Sequence, residues 1–260
     1  MIRNVRGLAT GIVIYIVTPL VSMAAQSVPT SLTPQHLVGR PLRSLTDTMD
    51  IVLVRDGARR SGGQFIVTLT TATVEGRSAY LVIAHDRSPT GANTFDTAAV
   101  DAATLAPLWH RSHAPTDSAA VVYRDRVASG YADHDKQARS AVDFRLSAAA
   151  FEGGLVSWIL PALPLRVGYA VTITSFSLWD NREDTTTYRV TGSERVEMRT
   201  GAVDTWVIRE DHGPNDRAIR QQWIDKTTGR TIRTYDAPRP VAPGDGYWKI
   251  STLVKPTSGG

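Results

Sequence analysis

His110-Arg111-Ser112-His113 is the stretch whose residue types come nearest to enzyme chemistry. Two histidines so close could share a metal ion if a helix carried them. The hydrolytic zinc pattern instead spaces them four apart with a glutamate between, and here no glutamate intervenes. Leu105 to Trp109 before them reads as a strand, so the two imidazoles point to different faces as the strand frays toward Pro115. They read as a solvated turn, not as metal ligands, and His134 between Asp133 and Asp135 joins them only if its turn folds back. The run Asp211-His212-Gly213-Pro214-Asn215-Asp216 has the composition of a loop tip, and Glu183-Asp184 beside Arg182 that of a polar turn. Serine occurs in no Gly-x-Ser-x-Gly elbow, and no glycine pattern that would cradle a phosphate precedes a helix. The residues therefore point away from an enzyme, with no catalytic residue, metal site or cofactor assigned. A hydrolase using His110 or His113 is kept as a secondary alternative.

The large aromatic side chains are the better candidates. Trp158 falls on a helical segment, while Tyr169, Phe176, Trp206 and Trp223 fall on later strands. Aromatics spread along a curved sheet can line an apolar hollow and hold an acyl chain by buried area, at about 25 cal/mol per Å². The same residues could equally fill a core. These five are taken as candidate ligand-binding residues.

The elements that must position them follow a period of two. Runs such as Gln64 to Val74, Ser78 to His85, Ala119 to Tyr123, Thr185 to Arg199 and Ala218 to Ile224 alternate apolar and polar residues. Asp56-Gly57, Glu75-Gly76, Thr200-Gly201 and Lys226-Thr227-Thr228-Gly229 supply tight turns between them. Ser147 to Leu163 breaks the rhythm: Phe151, Leu155, Trp158 and Ile159 recur at helical spacing until Pro161 and Pro164 stop the run. The fold class expected is mainly β: a curved antiparallel sheet or incomplete β-barrel, with one principal helix packed on or lidding its concave face. One domain over 47–255 is expected, after an extended Pro/Ser/Thr-rich lead-in over 26–46 and before a disordered tail at 256–260.

The chain of 260 residues is 42% hydrophobic and 21% charged, enough apolar content for a packed core. It contains no cysteine, which excludes a disulfide scaffold and a thiolate nucleophile. Arg3 and Arg6 precede an apolar run from Leu8 to Val21, and Ser22-Met23-Ala24-Ala25 offers small residues for cleavage. This is the pattern of a secretory signal over 1–25, shorter than a bilayer-spanning helix. Its loss removes two of the charges that make the net +4, so the mature chain is close to neutral. Nucleic acid is not an expected partner. Export without cysteine fits a bacterial periplasmic or secreted protein.

Three stretches resemble a family of exported bacterial domains of unknown function. They are Val100-Asp101-Ala102-Ala103-Thr104-Leu105-Ala106-Pro107-Leu108, a strand pair; Ala162-Leu163-Pro164-Leu165-Arg166-Val167-Gly168-Tyr169, a helix-to-strand junction; and Trp223 to Arg233, a closing hairpin. That family is similar in architecture to periplasmic lipoprotein carriers, half-barrels around an apolar concavity. The resemblance covers about Asp47 to Asp236 and implies a soluble envelope protein that binds a lipid-like or apolar ligand. Membrane contact is implied only through the uncleaved signal. The alternative is a non-enzymatic interaction or scaffolding protein with an envelope partner.

Overall fold

The computed structural model describes residues 30–33, 37, 42–133, 139–148, 150–213, 218–238 and 245–251. The signal segment, His134, Pro214 to Asp216 and the tail lie outside the described residues.

Among the described residues sixteen strands follow one another: β1 Thr30–Leu32, β2 Leu45–Arg55, β3 Ala58–Val74, β4 Arg77–Arg87, β5 Thr94–Asp101, β6 Pro107–His113, β7 Ser118–Arg124 and β8 Val127–Asp133. Then come β9 Ser140–Arg145, β10 Ala150–Glu152, β11 Ala170–Ser177, β12 Arg182–Met198, β13 Gly201–Asp211, β14 Ala218–Asp225, β15 Thr231–Pro238 and β16 Gly246–Ser251. All join one sheet in the order β1-β11-β12-β13-β14-β15-β16-β2-β3-β4-β5-β6-β7-β8-β9, with β10 also on β11. From β2 to β9 and from β11 to β16 consecutive strands pair antiparallel, as alternating runs with X-Gly turns require. Asp56, Glu75 and Asp125 sit in those turns with positive φ.

The sheet is strongly curved and open. Its two limbs meet through side chains: Phe176 of β11 packs among Tyr123 of β7 and Phe144 of β9, with ring centroids 6.0 and 5.4 Å away. The free side of β11 is covered by β1 and β10, which lie along it in parallel. Covering this edge removes a template for pairing with another chain. The lead-in thus contributes a strand at Thr30–Leu32, where the sequence reading expects only extended chain.

The segment expected as one helix within Ser147–Leu163 is shorter and more broken. Ala150–Glu152 is β10, Gly153–Leu155 is a 3₁₀ turn, Val156–Ile159 is the helix α1, and Leu160–Ala162 is a second 3₁₀ turn. The Glu152 side chain accepts from the Gly154 amide at 2.7 Å and starts the helical run. Leu163 is extended, the conformation favoured before proline, and ends it. Phe151, Leu155, Ile159 and Leu160 are fully buried. They pack with Leu69, Val82 and Val100 of one limb and Val171, Ile173, Val190 and Ile208 of the other. The helical run is therefore a plug between the limbs of the sheet, on its concave face.

Gly168 turns this plug into β11 with φ +83°, and a Cβ built there would touch nothing. Gly168→Val is expected to cost roughly 1 kcal/mol or slightly more, from backbone strain alone. A denaturation midpoint equal to that of the parent chain would show that the turn does not need this dihedral.

Candidate functional site

The Asp225 carboxylate shapes the β14–β15 turn. Its Oδ1 accepts from the Thr227 amide at 2.7 Å, and its Oδ2 from the Thr228 hydroxyl at 2.6 Å. Gly229, at φ +71°, completes the turn and lets Pro161 of the plug approach. Arg230 is thereby delivered across the concave face to β2. Its Nε donates to Asp47 Oδ1 at 2.9 Å, and its Nη2 donates both to that oxygen and to the Thr46 carbonyl. Asp47 is almost wholly buried; burial pushes its carboxyl up, against the opposing pull of Arg230.

Between this ion pair and the plug lies a cavity of about 350 Å³. Leu45, Met49, Phe65, Val67 and Val82 form its apolar wall, and Trp158 and Pro161 its roof. Asp86, Asp96, Gln222 and Lys249 supply polar groups along the same wall. The Lys249 ammonium rests 3.6 Å from the centre of the Phe65 ring. Burial lowers its pKa, and the carboxylates of Asp86 and Asp236 act in the other direction. A second cavity of about 500 Å³ lies beyond Trp158, Pro161 and Gly229, with Trp206 and Ile224 in its wall. Trp158 stands at the partition between the two.

Asp96 connects the cavity to a buried charge cluster. His110 is 7% exposed and is held from both sides. Its Nδ1 lies 2.6 Å from Glu152 Oε1, and its Nε2 is bonded to Asp96 Oδ1. Burial disfavours the imidazolium, but Glu152 and Asp96 outweigh it and raise the pKa to about 10. As a cation that donates from both nitrogens, His110 has no lone pair to serve as a general base. It joins the start of the plug, at Glu152, to strands β5 and β6. The sequence reading of His110 as part of a solvated turn is thus corrected: its side chain points into the fold. His113, three residues on, is exposed, so the two histidines do face opposite ways. His212 reaches Thr186 Oγ1 at 3.0 Å and Glu210 at 3.4 Å.

The five aromatic candidates do not share one space. Trp158 lines both cavities, and Trp206 lines the second, with the Lys226 ammonium 4.1 Å over its ring. Tyr169 packs against the main core beside Arg166. Phe176 lies in the seam between the limbs. Trp223 faces the other side of the sheet: its neighbour Ile224 joins the core around the plug, so the pleat turns Trp223 away, onto Val196, Ile232, Tyr235 and Trp248. The expectation that Trp223 lines an apolar hollow together with Trp158 is therefore corrected. The residues the sequence reading missed are the polar ones, Asp47, Asp86, Asp96, Gln222, Arg230 and Lys249. Of these, only Arg230 stands inside the quoted closing hairpin, five residues after Asp225, and nothing in that hairpin marks it as half of a buried pair.

Among the described residues no helix is long and apolar enough to cross a membrane, and no group of three or more His, Cys, Asp or Glu is arranged to hold a metal ion. No curated protein matches the chain. A crystal structure of a β-barrel-like protein of the domain of unknown function DUF1849 from Brucella abortus has a similar fold, with a TM-score of 0.50. That likeness covers 82% of this chain and 97% of the other at 10% identity, and speaks for the fold alone. A family model described as a protein of unknown function, DUF3108, matches residues 57–242, from the first turn of the sheet past the end of β15. The chain belongs to the DUF3108 family.

Proposed function

We propose that this protein is a non-enzymatic carrier or sensor of a small, single-chain amphiphile, held in the cavity under the plug. The observation that carries the reading is the cavity itself: about 350 Å³, apolar along one wall, with charged and amide groups placed along the same space. Sites for small molecules run from roughly 300 to 1,000 Å³ and combine an apolar lining with few polar groups. This volume has room for one short chain, not for a diacyl lipid, which refines the lipid-like ligand expected from the sequence. The Arg3/Arg6 start, the apolar run to Val21 and the small residues at 22–25 support export to the bacterial envelope.

An apolar fluorescent probe such as N-phenyl-1-naphthylamine should bind with a Kd near micromolar, equivalent to about −8 kcal/mol. Trp158→Ala should weaken binding about tenfold while shifting the urea midpoint little, because Trp158 is only partly buried and roofs the cavity. Unchanged probe affinity together with a large loss of stability would make the plug ordinary core. The reading as an interaction or scaffolding protein would then lead.

A further inference from the structure

Gln222 is 7% exposed and reaches the cavity from β14. Its Nε2 donates to Glu210 Oε1 at 2.5 Å, which fixes the amide's orientation because a carboxylate only accepts. The Gln222 carbonyl oxygen is buried without a partner among the described residues. Across the cavity, on β4, the Asp86 Oδ1 is buried in the same condition. Unpartnered buried acceptors are scarce in native proteins and ask for a donor. Two of them belong to residues that line one cavity. Lys249, on β16 between them in strand order, offers the complementary group: an ammonium resting on Phe65, with no hydrogen-bond or ion-pair partner among the described residues.

The charge balance narrows the ligand further. Of the residues that line the cavity, Asp47, Asp86 and Asp96 face Arg230 and Lys249, which leaves one negative charge in excess. A carboxylate head would meet that excess and bring no donor to Gln222 or Asp86. A quaternary ammonium would suit the charge but has no N–H or O–H to give, and a primary ammonium would set a second cation beside Lys249 and offer it no acceptor. A hydroxyl head supplies donors to both acceptors and an oxygen that accepts from Lys249. We propose that the Gln222–Lys249–Asp86 end of the cavity is a head-group site that selects a neutral, hydroxyl-bearing single-chain amphiphile. This rests on the reading of the cavity as an amphiphile site and adds the chemistry of the head.

The test holds the tail constant and changes the head. Calorimetric titration of the full chain with 1-decanoylglycerol, decanoate and decyltrimethylammonium, each below its micelle concentration, should rank the glycerol ester at least tenfold tighter than either charged ligand. Asp86→Asn, which keeps the shape and removes the excess charge, should strengthen decanoate binding several-fold and narrow the gap. Equal affinities for the three, or decanoate the tightest, would overturn the head-group assignment and leave the amphiphile reading standing. Binding of none of the three, with N-phenyl-1-naphthylamine also excluded, would overturn that reading itself. An Asp86→Asn chain with the parent's ranking and gap would remove Asp86 from the site.

Discussion

His110→Ala should destabilise the fold by about 3–5 kcal/mol, the range found when one partner is taken from a buried ion pair. The size comes from what remains. Glu152 is fully buried and would keep only the Gly154 amide as a donor, with its charge uncompensated. Asp96 is more than a third exposed at its side chain and can turn to water, so the loss concentrates on Glu152. Removing the charge as well should restore part of the stability: the double variant His110→Leu/Glu152→Leu is expected to lie between the parent and His110→Ala, because apolar replacement of a whole buried pair is often tolerated. Urea midpoints of the three chains decide the matter. A single-variant loss below about 1 kcal/mol would mean that the cluster is wet and weakly coupled.

The same cluster gives stability a pH dependence of definite sign. The His110 pKa is raised in the fold to about 10, from about 6.5 in the unfolded chain. Its contribution is therefore complete below about pH 6.5 and is lost as pH rises toward 10, where the folded protein at last gives up the proton. Between pH 7 and 9 the unfolded chain has already released a proton that the native state retains, so stability should fall by up to about 1.4 kcal/mol per pH unit. The slope in His110→Ala should be nearly flat over that interval. Tyr247, pushed up to about 12, and the still higher Tyr123 begin to contribute only at more alkaline pH.

Which parts of this were legible in the sequence follows from the range of each interaction. Strand pairing between neighbours is local: Ser78 to His85 directly follows Glu75-Gly76, and the two observed strands pair from Val74↔Arg77 to Gln64↔Arg87. Period-two alternation and turn residues carry that information in short windows. The plug was legible as a helical interruption, because Leu155 and Ile159 are four apart and both fully buried. Its brevity was not, since Glu152 is drawn into a strand by its distant partners on β11 and by His110. The cavity was the least legible. Asp47 and Arg230 are 183 residues apart, and nothing near either one marks it as half of a buried pair. His110 looked like a surface histidine for the same reason: its two carboxylates lie 14 and 42 residues away. Polar residues in β proteins are mostly solvated, so the sequence offers no contrast when a few of them face inward.

Trp223→Ala should cost about 3–5 kcal/mol and leave probe and amphiphile affinity unchanged. The indole is 4% exposed, and its Nε1 donates to Glu194 Oε2 at 2.7 Å. Arg233 lies 4.0 Å over its ring and donates to the other Glu194 oxygen at 2.8 Å, while Trp248 and Tyr235 continue the stack. Truncation would open a large void in this cluster and unlock the arginine from its ring. The face on which this happens is opposite the cavity. Sequence alone places Trp223 with Ile219 and Gln221 on one face, but cannot rank the faces, because Ile224 and Trp206 make the other just as apolar. That ambiguity is what the variant resolves. Folding loss with intact ligand affinity separates a tryptophan that holds the sheet from Trp158, which is expected to do the reverse. A Trp223→Ala chain that still folds to the parent's midpoint would show the outer cluster to be solvated. One that folds but loses ligand would place the binding site on that face, and the cavity under the plug would no longer be the candidate.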